Sequence, residues 1–301
     1  MNRTEFLLLE DTNDFIRWLT LHLPTLPIHL KVLDSDFVPK GIDCHVEGIE
    51  AVQALYQWKG DWQTVSFKLR RMRLRLRLAT LFGSESATHE VCKAILTWGG
   101  VDGAEEFLEL KRKDNDLIGY LKRTARLLAL DQEQRLRELT KDQILRFDAG
   151  MTKIHAIFDK TGSPIFDGRV GAAISMLYLM YRKHRTSPLP PALSFAWGPG
   201  RGHQIRNPRH LGLGYDGTPQ LSTKSRHLWA KRQLQLGWII RAVLENSKLF
   251  VHIPRLTDRC HAFEAGLFMM GYDLRCMVPN GFSIEPPPKL KDRRRQRAIQ
   301  K

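Results

Sequence analysis

Apolar residues recur at helical spacing along most of the chain, and the breaks between these runs carry recognisable start and stop signals. Asp11 or Asn13 is placed to cap a helix through Phe15, Leu19 and Leu23, which Pro24 and Pro27 end. Ile49, Val52, Leu55 and Tyr56 predict a helix over 49–58. Val91, Ala94, Ile95 and Trp98 predict another from His89, stopped by Gly99-Gly100. Shorter helices are expected over 103–110 and 115–130, and Thr140-Lys-Asp-Gln143 reads as a capping box opening a helix through Ile144 and Phe147. After a turn at Asp148-Ala-Gly150, a short helix should run from Lys153 to Phe158. Gly162-Ser-Pro164 breaks it, and Asp167 precedes a long helix through Val170, Ile174, Leu177 and Tyr181. Ser222 and Thr257 open two more.

One segment resists assignment. Lys68 to Leu78 alternates Arg and Leu in its second half, which is the strand template, yet both residues are good helix formers. As a strand it would line Arg71, Arg73, Arg75 and Arg77 along one face, a stripe suited to phosphates; a solvated charged face is the plainer reading. The whole reads as a mainly α protein in three parts. Residues 1–84 form a mixed N-terminal extension of helices and one candidate strand, 85–285 a helical domain, and 286–301 a basic, disordered tail that includes Arg293-Arg-Arg295. No internal repeat is visible, and 185–221 is a long Pro-, Gly- and Arg-rich loop of the kind that often carries function.

Composition narrows the classes. With 301 residues and 43% hydrophobic content the chain has material for a large core. Its net charge of +15 favours a polyanionic partner through counterion release. Cys44, Cys92, Cys260 and Cys276 stand far apart with no paired Cys/His spacing, which points to core thiols in a reducing compartment rather than to disulfides, zinc or an iron–sulfur cluster. No metal or other cofactor is expected. No apolar run reaches the length of a membrane span, and Leu7-Leu8-Leu9 is too short for a signal-peptide core, so a soluble protein of the cytoplasm, associated with the nucleoid if bacterial, is expected.

The candidate chemistry sits at Thr152-Lys153 and Asp167, fourteen residues apart. A lysine becomes a nucleophile when burial disfavours its ammonium form, and Ile154, Ile157 and Phe158 are at hand to bury this one. Asp167 fits two roles at once. It is a preferred helix N-cap, and a carboxylate oriented by backbone donors can also face a developing cation.

The run helix, Thr152-Lys153, helix, Pro164-Ile165-Phe166-Asp167-Gly168-Arg169-Val170, helix resembles the helix-hairpin-helix DNA glycosylase superfamily, and within it the 8-oxoguanine glycosylase/AP-lyase branch. There a hairpin ends in Gly-Thr-Lys with the lysine as nucleophile, and a Pro-Val-Asp-x-His/Arg-Val segment carries the catalytic aspartate. A Pro-Ile-Tyr-Asp-Ser-Arg-Val run in bacterial glycosylase-fold proteins is more similar still. The resemblance covers about thirty residues, with a looser helical likeness from 85 to 285. Its Leu-Pro-Gly-Val-Gly hairpin, which binds a phosphate through backbone amides, reads Phe147-Asp-Ala-Gly-Met151 here, the Lys-to-Asp spacing is shorter, and the four-cysteine cluster of some relatives is absent. The resemblance implies a two-subdomain helical fold and attack of Lys153 on a sugar C1′ with Asp167 assisting. A Schiff base and strand cleavage at an oxidised purine such as 8-oxoguanine then follow, as in base excision repair of DNA damage. It also implies a phosphate contact for Arg169.

The loop from Trp197 to His210 joins flexible glycines to cations. Arg201, His203, Arg206 and Arg209 are candidate DNA contacts and Trp197 a candidate stacking platform. His155, Phe263, Phe268 and Met270 read as packing. Three functions stay open at this point: a DNA glycosylase/lyase, a non-catalytic nucleic-acid-binding protein with the same fold, and a basic scaffold for protein or RNA.

Overall fold

The helical periodicity is realised over most of the chain. A computed structural model describes residues 1–132, 134–185, 191–200, 202–212 and 218–287. The protein is mainly α: among these residues are eleven α-helices and one two-stranded sheet. Helices α1 (Arg3–Leu7) and α2 (Glu10–His22) come first, then β1 (Pro27–Val32), β2 (Ile42–Glu47) and α3 (Gly48–Ala54). Next are α4 (Trp62–Leu81), α5 (Glu85–Gly99), α6 (Glu105–Lys113) and α7 (Leu117–Leu128). Helices α8 (Met151–Phe158), α9 (Gly168–His184), α10 (Arg226–Glu245) and α11 (Leu256–Met270) complete the set. The predicted tail from residue 288 on, with Arg293-Arg-Arg295, lies outside the described residues, as do Arg201 and parts of the predicted 185–221 loop.

Helix α8 is the innermost element. Helices α4, α5 and α7 pack around it, and every residue from Met151 to Ile157 is buried. Helix α9 is apolar on all sides from Val170 to Leu179 and packs against α11 and α2. Helix α11 lies against α3 and α10 as well. The antiparallel strands pair Pro27 with Glu47 through Val32 with Ile42, and pack on α11 and the short turn Leu274–Met277.

The segment 68–78 is helical, inside α4. Asp61 starts α4 by accepting from the Thr64 amide, and nothing interrupts it before Gly83 takes a left-handed conformation at φ 70°. Its arginines therefore do not share a face. Arg73 and Arg77 turn inward and donate to the Ile157 and Asp159 carbonyls at 3.1 and 2.9 Å, at the end of α8. Arg71 and Arg75 are exposed.

Three other expectations are corrected. No helix follows Thr140: only a single turn forms, with the Ile144 amide on the Thr140 carbonyl. The carbonyls that would continue it go elsewhere, those of Lys141 and Ile144 to the Arg226 guanidinium and that of Arg146 to the Tyr120 hydroxyl. Thr257 lies within α11, which Arg255 precedes. Asp11 is not a cap. Leu9 occupies the N-cap of α2 without a side-chain bond, and Asp11, 4% exposed, is drawn into the core.

There its carboxylate accepts from the Tyr178 and Tyr181 hydroxyls, from Arg182 at 2.8 Å and from the Ala192 amide at 2.9 Å. Burial pushes its acidity the other way, but these donors together hold the carboxyl below the usual aspartate range. Its contribution to stability is thus present at neutral pH and is lost as pH falls through that lowered value. Replacing it removes a shared acceptor of Tyr178, Tyr181, Arg182 and the Ala192 amide where α9 and the chain after it meet α2. Asp11→Ala is expected to lower the unfolding free energy by about 3–5 kcal/mol, read as a fall in the urea midpoint at unchanged slope.

Candidate active site

Four hydrogen bonds set the positions of Lys153 and Asp167. Thr152 Oγ1 donates to Gln233 Oε1 on α10 at 2.5 Å and accepts from the Phe166 amide at 2.7 Å. The Phe166 carbonyl in turn accepts from Trp229 Nε1 at 2.6 Å, and Gln233 Nε2 donates to Ser163 Oγ at 3.1 Å. The residue before the lysine thus holds the residue before the aspartate. Between them, Asp159 closes α8 and accepts the amides of Thr161, Gly162 and Ser163. Gly162 sits there at φ 94°, a conformation that excludes most side chains.

Lys153 and Asp167 are 4% and 6% exposed, and Lys153 Nζ lies 3.5 Å from Asp167 Oδ2 and 3.0 Å from the Ala149 carbonyl. The lysine stem runs along α5 where Gly99 leaves it room, since a Cβ there would come within 2.6 Å of Lys153 Cδ. Asp167 also caps α9, accepting from the Arg169 and Val170 amides at 2.9 and 3.2 Å. Burial alone would raise its carboxyl. The Lys153 and Arg169 charges and the two amides outweigh this and hold it below the usual range. The pair is a lysine–carboxylate ion pair shielded from solvent, where electrostatic interactions are stronger than at the surface.

Glu264 of α11 adds a second carboxyl, 7% exposed. Burial, then the Asp167 charge, raises it well above the usual range against the pull of Lys153 and the Ile165 amide. Its protonated form is thereby favoured. Tyr56 is held protonated by burial and then by Glu264. Arg169 turns back towards this wall: its guanidinium stacks over Trp58, Phe268 and Tyr272 at 4.6, 4.8 and 4.3 Å from the ring centres.

The residues expected to contact DNA separate into two groups. Arg169 is half-buried in its aromatic box. Arg206 is 7% exposed and donates to the carbonyls of Tyr272 and Pro199 and to Gln204 Oε1. Burial, then the nearby Arg169 charge, pushes its guanidinium down to about 10. Neither is presented to an outside phosphate. His203 and Arg209 are exposed, and Arg201 lies outside the described residues. Trp197 is half-buried against the core, its indole N–H on the Thr218 carbonyl at 3.2 Å. His155 packs on Phe147, and burial pushes its imidazole down to about 3.

The divergent hairpin has a structural reading. Asp148 Oδ1 accepts from the amides of Gly150 and Met151 at 2.9 and 3.0 Å, and its Oδ2 is clamped by Arg146 Nε at 2.6 Å. These amides are thus already satisfied by an internal carboxylate. Among the described residues no group of three or more His, Cys, Asp or Glu is arranged to hold a metal ion. Comparison with protein-family models, with curated proteins and with solved structures gives no match.

Sequence reasoning missed Glu264, Tyr56, Trp58 and Tyr272 and assigned Phe268 to packing. A signal existed for one of them: Glu264 is the lone charge in the apolar run Cys260–Met270, apart from His261. Two outcomes follow. Thr152→Val should cost about 1–3 kcal/mol, because it leaves Gln233 Oε1 and the Phe166 amide unpaired in the core; denaturant titration checks it. For Glu264, the folded protein keeps a proton that the unfolded chain releases above its ordinary value of 4.5. Stability therefore falls as pH rises from there towards the raised value. Glu264→Gln should melt higher than the parent protein at about pH 8 and nearly with it at about pH 4.

Proposed function

We propose that this chain is a DNA N-glycosylase with AP-lyase activity, built on a helix-hairpin-helix glycosylase-like fold, and that Lys153 is its nucleophile. The observation that carries the reading is the enclosed Lys153–Asp167 contact at 3.5 Å on consecutive helices. The matching Thr-Lys and Pro-x-x-Asp-x-Arg-Val segments support it. A target nucleotide swings out of the stack to bring C1′ within reach. The Lys153 ammonium passes a proton to the departing base, and the free amine attacks C1′ as the bond to the base breaks and its electron pair leaves with the base, while Asp167 stays ionised. Asp167 faces the positive charge that builds on the sugar. Ring opening leaves a protonated Schiff base. Loss of the C2′ proton then drives out the 3′ phosphate, which cleaves the strand 3′ to the lesion. Glu264, neutral and 7% exposed, is a proton donor beside the leaving base.

A second reading rests on one observation. Lys153 is only 4% exposed, which also suits a structural ion pair inside a non-catalytic nucleic-acid-binding protein. Borohydride trapping decides between them. Duplex DNA carrying 8-oxoguanine or an abasic site is expected to give a covalent adduct that Lys153→Gln abolishes. Asp167→Asn, which keeps an N-cap acceptor, should slow adduct formation by about 10²–10⁴-fold without unfolding the protein. Salt-sensitive DNA binding with no adduct on either substrate supports the structural pair and sinks the catalytic one.

A further inference from the structure

We infer that the groove between α4 and α5 is a binding site for an unpaired nucleic-acid strand. The groove has a volume of about 570 Å³, within the range of small-ligand clefts. Lys59, Lys68, Arg71 and Arg75 line it, and no carboxylate does. Its apolar surface comes from Met72 of α4 and from Ala94 and Trp98 of α5. Phe67, also lining it, is 61% exposed, an unusual fate for a phenylalanine.

The helix periodicity makes this site. Lys68, Arg71 and Arg75 fall at offsets of three and seven and so share one face of α4, while Arg73 and Arg77 are turned into the core. No ion pair is recorded for the three outward cations among the described residues. Arg71 instead lies over the Phe67 ring at 6.0 Å. Lys59 closes the end of the groove, its Nζ on the Thr97 carbonyl at 2.9 Å. A row of cations beside an exposed aromatic ring is what a flexible strand requires: charge along its phosphates and a flat apolar face for a base. A bilayer surface does not enter a groove, and a paired base has no free face to offer Phe67. The inference does not depend on Lys153 chemistry.

Fluorescence anisotropy on the full chain tests it, with a labelled oligo-dT of about 12 nucleotides, a duplex of equal length, and vesicles of phosphatidylserine and phosphatidylcholine. Lys68→Glu/Arg71→Glu/Arg75→Glu is expected to weaken oligo-dT binding at least about tenfold and to reduce the slope of log affinity against log salt by about 2. Phe67→Ala should weaken it about fivefold or more while leaving duplex binding unchanged. Adduct trapping and oligo-dT binding are read separately on the parent protein, so a failure of adduct trapping leaves this result standing. If circular dichroism shows that the triple Glu variant is unfolded, Lys68→Gln/Arg71→Gln/Arg75→Gln takes its place with the same salt-slope criterion. Undiminished oligo-dT binding by the folded triple variant overturns the inference, and so does a triple variant that loses duplex or vesicle binding as steeply as oligo-dT binding.

Discussion

A hydroxyl has one proton to give and lone pairs with which to accept, and Thr152 uses both across distant parts of the chain. Its proton goes to Gln233 of α10 and its lone pair takes the Phe166 amide, so that α8, α10 and the entry to α9 meet at one atom. Because Thr152 is fully enclosed, water cannot replace either partner. The separation of Lys153 from Asp167 is inherited from this junction, since each is the next residue along from an atom held there. The Trp229 indole on the Phe166 carbonyl fixes the same peptide from its other side. A pair of side chains on separate helices is thereby held with the precision of neighbouring residues on one element.

Around that junction the protein supplies internal partners for several of its own charged and polar groups. Asp148 fills the amide nest ahead of α8, Asp159 fills the one after it, and Arg169 occupies an aromatic box of Trp58, Phe268 and Tyr272. Each lowers the cost of burying polar groups near the lysine. Arg71 and Arg75, by contrast, are exposed on the outside of α4.

The legible features of the sequence were those governed by local rules. Helical spacing and stop signals placed α2, α5, α7, α8, α9 and α10, because periodicity and glycine or proline breaks act within a few residues. Asp167 was legible as a cap for the same reason. The 140–147 run was misread because Thr140 caps only a single turn and Arg226, more than eighty residues away, takes the carbonyls a helix would use. Asp11 was misread in the same manner, its partners lying on α9. The strands at 27–32 and 42–47 do alternate, with Ile28, Leu30 and Val32 inward; the prolines before and within that stretch drew attention as helix stops instead. The site was half legible. Its lysine and aspartate stand in a local pattern, whereas Glu264 and the aromatic box reach it only through tertiary packing.

The two inward arginines of α4 have a mechanical consequence. A helix of twenty residues is a stiff rod roughly 30 Å long, and here it is bolted to the end of α8 through the Ile157 and Asp159 carbonyls. The same rod carries Arg71 and Arg75 on its outside. Any load applied to that outer face is passed straight across the rod to the end of the helix that bears Lys153.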